Sequence, residues 1–202
     1  MTYIPIPLVT EIIRRVGKKG FRYLGPFIAA GGAYTELVNT ELVLKDVDLQ
    51  EFFYNGELAS LTSIYRPFLV RCLAHDNPTA KYVESIRLLT AFGPSQARLD
   101  LLGEAAPYSL EAWYAYGLFL ICCGAYEDGV IVLQAFVNNV SHFNEALTIA
   151  DRLEVLVRVK PRHNSSHMQR LLLMGVFVEN GSNVLKGMVT LCSYSMLRMF
   201  NI

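Results

Sequence analysis

From residue 60 to residue 160 the chain is a series of apolar segments with helical periodicity, separated by residues that begin or end helices. Asn77 is a favourable N-cap residue and Pro78 follows it at the first helical position. Gly93, Pro94 and Gly124 interrupt the pattern where helices are expected to end. The sequence therefore predicts an all-α fold, with helices over residues 64–75, 78–92, 95–106, 110–123, 129–140 and 144–159.

A short motif repeats within this series. Ala80 and Tyr82 recur as Ala112 and Tyr114, a shift of 32 residues. A period of this length accommodates two antiparallel helices, which is the unit of tetratricopeptide-like arrays. The shift predicts that residues 53–160 form an antiparallel helical-repeat array.

Composition excludes several classes of function. Apolar residues make up 52% of the chain and charged residues 18%, which favours a well-buried helical protein. Lys plus Arg and Asp plus Glu each number 18, so no overall positive field predicts nucleic-acid binding. The longest uncharged run, residues 112–126, is shorter than the roughly 20 residues of a membrane-spanning helix. We expect that run to be a buried helix.

The N-terminal segment predicts an amphipathic helix that begins near two prolines and ends at Gly17. Its apolar residues recur at helical spacing and form one stripe: Leu8, Val9, Ile12, Ile13 and Val16. Two further apolar segments follow, over residues 23–30 and 34–44.

The densest charge run overlaps the end of this first helix, at Arg14, Arg15, Lys18, Lys19 and Arg22. Such a run could serve in nuclear targeting, in a transit peptide or in phosphate binding. We interpret it instead as the solvated side of the helix and of the turn after it.

Catalytic and metal-binding motifs are not recognisable in the sequence, so we expect neither an enzyme nor a cofactor. His163 and His167 have the i, i+4 spacing of a metal pair, but they flank a turn-prone Asn-Ser-Ser stretch and predict a solvated loop. The cysteines form no CxxC pair and predict buried thiols in a reducing compartment: Cys72, Cys122, Cys123 and Cys192.

Aromatic residues at helical spacing predict packing between helices, with a ligand groove as the alternative. They are Tyr82, Trp113, Tyr114, Tyr116, Phe119 and Tyr126.

Together, these segments resemble one family. The run Ile4-Pro5-x-x-Leu8-Val9-x-Glu11-Ile12-Ile13-x-Arg15-Val16 is similar to the opening of the F-box in plant F-box proteins. Glu36-Leu37-Val38 and Val47-x-Leu49-x-x-Phe52 resemble its third helix and exit, and Phe68-Leu69-x-x-Cys72 with Asn77-Pro78-x-Ala80-x-Tyr82 resembles the segment that follows. Glu111-Ala112-x-Tyr114-x-Tyr116-Gly117 and residues 124–129 look like a Sel-like, tetratricopeptide-type repeat.

The resemblance implies a three-helix F-box-like domain over residues 1–52, a helical-repeat domain over 53–160 and a divergent tail over 161–202. It also implies the substrate-recognition subunit of a cullin-type ubiquitin ligase, in the cytoplasm or nucleus. An Skp-type adaptor would bind one set of residues, and the repeat would hold an unidentified target protein. That adaptor-binding set is Ile4, Pro5, Leu8, Val9, Ile12, Ile13 and Val16.

Residues 31–34 depart from the family pattern, which leaves a second reading open. In that reading the chain is a helical-repeat scaffold with a degenerate F-box and no ligase role. A membrane-associated protein and an enzyme on a helical scaffold are less well supported, because the chain has neither a spanning segment nor clustered catalytic residues.

Overall fold

The computed structural model describes residues 4–158, and every regular element among them is a helix. The predicted all-α class is therefore confirmed for this part of the chain. The chain divides into two compact units, with the boundary between Lys81 and Tyr82. The predicted tail over residues 161–202, with His163, His167 and Cys192, lies outside the described residues.

The first unit contains short helices around a compact apolar core. The helices are α1 (Ile6–Gly17), α2 (Gly25–Ala29), α3 (Gly32–Val38), α4 (Glu41–Asp46), α5 (Glu51–Tyr54), α6 (Arg66–Ala74) and the start of α7 (Pro78–Phe92), with 3-10 turns at Phe21–Leu24 and Gly56–Ala59. Fully buried side chains from most of these elements form the core, among them Ile13, Leu24, Val38, Val43, Leu49, Phe52 and Leu69.

The predicted apolar segment 34–44 is not one helix but two, because polar side chains end the first of them. The Asn39 amide donates to the Thr35 carbonyl at 2.8 Å, and the Thr40 hydroxyl donates to the Leu37 carbonyl at 2.7 Å. Side chains that bond nearby carbonyls in this way compete with continuation of the helix. Helix α4 then starts at Glu41, directly after the extended backbone of Thr40.

Asn77 links the end of α4 to the start of α7 inside the first unit. Its side-chain amide nitrogen donates to the carbonyls of Leu44, Lys45 and Val47, each at 3.0 Å. Its side-chain oxygen accepts from the Ala80 amide at 3.1 Å, which is the N-cap bond of α7. One buried side chain thus satisfies the last carbonyls of one helix and an early amide of another. Asn77 thus ties the segment after residue 52 to α4, and the predicted domain division after residue 52 stays a prediction.

We expect Asn77→Asp to lower the free energy of unfolding by about 3 kcal/mol, because a carboxylate would face three carbonyl oxygens without a donor. Urea unfolding followed by circular dichroism would measure the change. Ser109→Asp is the matched control: Ser109 caps its helix by accepting from Ala112 at 3.0 Å, and Asp caps equally well. Equal unfolding midpoints for the two variants would contradict the double role of Asn77.

The second unit is built from longer helices. They are the remainder of α7, α8 (Gln96–Ala105), α9 (Leu110–Cys122), α10 (Tyr126–Asn139) and α11 (Phe143–Arg158), with a 3-10 turn at Ala106–Tyr108. Helix α9 is central, because it packs against α8, α10 and α11. Helix α10 begins three residues earlier than predicted, at Tyr126, directly after the left-handed turn at Gly124.

A spacing of 32 residues recurs in this unit beyond the pair of motifs seen in the sequence. Tyr82, Tyr114 and Ala146 occupy equivalent buried positions near the starts of α7, α9 and α11. One helical turn later, Ile86, Leu118 and Ala150 are buried as well. Three helices of the second unit therefore bury the same register positions at a constant interval.

Helices α9 and α10 approach each other closely at two glycines. A Cβ atom on Gly129 would lie 2.6 Å from Ile121 Cγ1 and 2.8 Å from the Gly117 carbonyl oxygen. A Cβ atom on Gly117 would lie 2.7 Å from Leu133 Cγ. Only glycine fits at these positions while the two backbones keep this separation.

We expect Gly129→Ala to destabilise the protein by about 1–3 kcal/mol, because its methyl group meets a backbone oxygen that cannot rotate away. Gly103→Ala is the control, since its Cβ would meet the Tyr116 side chain, with the nearest atom at 3.1 Å. Thermal unfolding should show a clear loss for the first variant and little change for the second. A Gly129→Ala protein as stable as the control would mean that the helices can separate at small cost.

Candidate protein-interaction surface

Helix α1 presents much of its predicted apolar stripe to solvent. Leu8 and Ile12, one helical turn apart, are 54% and 44% exposed, and Ile4 before the helix is 53% exposed. Pro5 is also exposed, whereas Val9 and Val16 are half-buried. Ile13 has no exposed surface, so it belongs to the core of the first unit and is not available to an adaptor. We call Ile4, Leu8 and Ile12 the α1 ridge.

Sequence reasoning did not single out Ile6, which is 57% exposed at the first turn of α1. It lies outside the quoted F-box pattern, at one of the positions marked x. Exposed apolar side chains also occur on the neighbouring short helices of the same unit: Ile28 on α2, Tyr34 on α3 and Leu42 on α4.

An ion-pair cluster holds α1 against α4. Asp46, at the end of α4, accepts from Arg14 at 2.5 Å and from Lys18 at 3.0 Å. Glu11 accepts from both Arg14 and Arg15 at 2.8 Å. Asp46 could not be predicted from the sequence, because it lies 32 residues from Arg14 and only folding brings the two together.

The cluster shifts the acidity of its carboxyl groups. Hydrogen bonds from Arg15 and then Arg14 lower the pKa of Glu11. Burial raises the pKa of Asp46, but hydrogen bonds from Lys18 and Arg14 outweigh that effect and lower it overall. A lowered folded-state pKa means that each ionised carboxylate stabilises the fold at neutral pH, and that this stabilisation is lost as the pH falls through the folded-state pKa.

The second unit buries half of the aromatic residues that the sequence places at helical spacing. Tyr82, Tyr114 and Phe119 are buried, Trp113 and Tyr116 are half-buried, and Tyr126 is exposed. The rings of Tyr114 and Phe136 pack with their centroids 5.2 Å apart, as in a helix-helix core. This placement agrees with packing between helices for most of the set.

Part-buried charges of the second unit form ion pairs, one between two helices and one within a helix. Arg152 on α11 donates to Glu111 on α9 at 2.6 Å, and Arg87 donates to Glu84 within α7 at 2.7 Å. Pairing of this kind is what part-buried charges require, and it leaves their role structural.

In the described part of the chain, no three His, Cys, Asp or Glu side chains come together as a metal site. Cys72 is buried, and burial raises the pKa of its thiol to about 12, which makes the thiolate inaccessible at neutral pH. Cys122 and Cys123 are half-buried, and burial raises the pKa of Cys123. The arrangement therefore offers an exposed apolar surface and no recognisable catalytic constellation within residues 4–158.

Among the described helices, none combines the length and apolar character needed to cross a bilayer. Comparison with known proteins returned no matching family model, no matching curated protein and no matching solved structure.

We expect Asp46→Asn to lower the free energy of unfolding by about 1 kcal/mol at pH 7, because Arg14 and Lys18 lose their shared carboxylate. The difference from the unaltered protein should shrink as the pH is lowered from 7 through the folded-state pKa of Asp46, below which the carboxyl group is protonated in both states. Thermal unfolding across that pH range would measure it, with Asp100→Asn on an exposed turn of α8 as the control. A difference that stays constant with pH would show that the charge of Asp46 does not stabilise the fold.

Proposed function

We propose that this chain is the substrate-recognition subunit of a cullin-type ubiquitin ligase, as the resemblance to plant F-box proteins implies. In this proposal the first unit binds an Skp-type adaptor and the second unit binds the protein to be modified. The observation that carries the proposal is the α1 ridge, where residues of the F-box-like motif are exposed although they are apolar.

The energetics of the ridge favour a protein partner. Three large aliphatic side chains are each about half exposed on or beside one helix, which is a costly arrangement for a protein without a partner. An amphipathic helix with anchors one turn apart fits a groove on another protein. Ile13 and Gly17 hold the opposite face of α1 inside the unit, so the ridge is presented on a fixed helix.

The repeated burial in the second unit supports a tetratricopeptide-like or Sel-like array. Equivalent positions of α7, α9 and α11 are buried at the same interval, and α10 returns against α9 through the glycine contact. Repeats that stack in this way create extended surfaces that bind other proteins. We assign target binding to this unit.

Replacing Leu8 and Ile12 together by alanine should abolish capture of a purified Skp-type adaptor while leaving the helical content unchanged. Both side chains are exposed, so their loss removes contact area for a partner and leaves the core intact. Pull-down by the tagged chain would measure binding, and circular dichroism would measure folding.

Leu61→Ala with Ile131→Ala is the matched control, because it removes the same atoms from two exposed residues that do not belong to α1. We expect this control to bind as the unaltered chain does. Adaptor binding that survives in the Leu8 and Ile12 variant would exclude the α1 ridge as the docking site. A chain that folds but captures no adaptor at all would favour the scaffold with a degenerate F-box.

A further inference from the structure

The exposed face of α1 contains positively charged residues as well as apolar ones. Leu8, Ile12, Arg15 and Lys19 follow one another at i, i+4, i+7 and i+11, which places them on one side of a helix. Helix α1 ends at Gly17, but the Lys19 amide donates to the Val16 carbonyl at 3.0 Å and continues the turn. The face is therefore apolar in its first half and cationic in its second half.

The cations of this region exceed its carboxylates. Four cations lie at the end of α1: Arg14, Arg15, Lys18 and Lys19. Glu11 and Asp46 pair with three of them, and Asp48 is near because its amide donates to the Gly17 carbonyl at 3.0 Å, which leaves one positive charge in excess. Arg14 and Lys18 pair with Asp46, whereas Arg15 pairs with Glu11 at 2.8 Å and its side chain is still 77% exposed. The whole chain is balanced at 18 cations and 18 carboxylates, so the excess belongs to this face.

We propose that the partner of the α1 ridge carries a carboxylate-rich patch that contacts Arg15 and Lys19. This inference rests on the proposed function and specifies the chemistry of the adaptor surface. At 1.5 Å per helical residue, the acidic patch extends from about 5 Å to about 10 Å along the helix from the site that receives Ile12. Charges at the rim of an interface act on the rate of association and on the choice of partner.

A protein surface fits this face better than a lipid surface does. A helix that lies in a membrane interface keeps its whole length apolar towards the lipid and places cations along its polar side. On α1, Arg15 and Lys19 lie on the same side of the helix as Leu8 and Ile12, nearer to its C-terminal end. The opposite side, at Ile13 and Gly17, is buried in the first unit.

The test is to reverse both charges with Arg15→Glu and Lys19→Glu and to measure the Kd for a purified Skp-type adaptor. At about 0.05 M salt we expect binding to weaken about tenfold, mainly through slower association. At about 1 M salt, where the screening length is about 3 Å, the difference should fall within about twofold. Arg15→Gln with Lys19→Gln perturbs the helix less and should give about a threefold loss at low salt.

Lys45→Glu with Arg71→Glu is the control, since it makes the same change of charge at exposed positions on α4 and α6. It should bind within about twofold of the unaltered chain.

If the α1 variants bind like this control, the acidic patch is overturned and the proposed function stands. If the unaltered chain binds no adaptor at either salt concentration, the proposed function fails and this inference fails with it. If the chain binds phosphatidylserine vesicles through Arg15 and Lys19 but not the adaptor, a lipid surface replaces the protein partner.

Discussion

The first unit depends on one buried amide. The C-terminal carbonyls of α4 lie in the interior, where an unsatisfied polar group costs about 1–3 kcal/mol, and the Asn77 side chain donates to three of them. The same side chain accepts from Ala80 and starts α7. Because α4 is fixed in this way, Asp46 at its end is in place to hold Arg14 of α1 and Lys18 directly after that helix. The position of the exposed α1 ridge therefore follows from a polar interaction elsewhere in the unit.

Helix α1 has a buried face and an exposed face, and the proposed function depends on the exposed one. Ile13 is buried, whereas Leu8 and Ile12 remain exposed, although all three belong to the stripe that the sequence marks as apolar. A fold that needed the whole stripe for its own core would have covered these residues. Of the predicted adaptor-binding residues, Ile4, Leu8 and Ile12 are exposed and Ile13 is not. Arg15 and Lys19 follow them along the same exposed face.

Much of the architecture could be predicted from the sequence because local signals set it. Glycine, proline and N-cap residues mark where the helices of the second unit begin and end. The predicted helix over residues 78–92 has the observed bounds. The sequence did not predict the break between two helices at Asn39 and Thr40, where both side chains donate to carbonyls of the preceding turn. The cap that Asn77 provides for α7 was predicted. Its bonds to α4, and the pairing of Asp46 with Arg14, were beyond reach, because these partners lie some thirty residues apart and depend on how the helices pack.

The sequence by itself determined that the described chain is helical, where most of its helices begin and end, and which residues of α1 are apolar. Periodicity and capping are properties of neighbouring residues, so they can be read without a fold. Only the tertiary structure decided which apolar residues of α1 stay outside the core and which cations keep an exposed charge. Which of these residues stay exposed depends on contacts between distant segments, chiefly α1 with α4 and Asn77 with the end of α4.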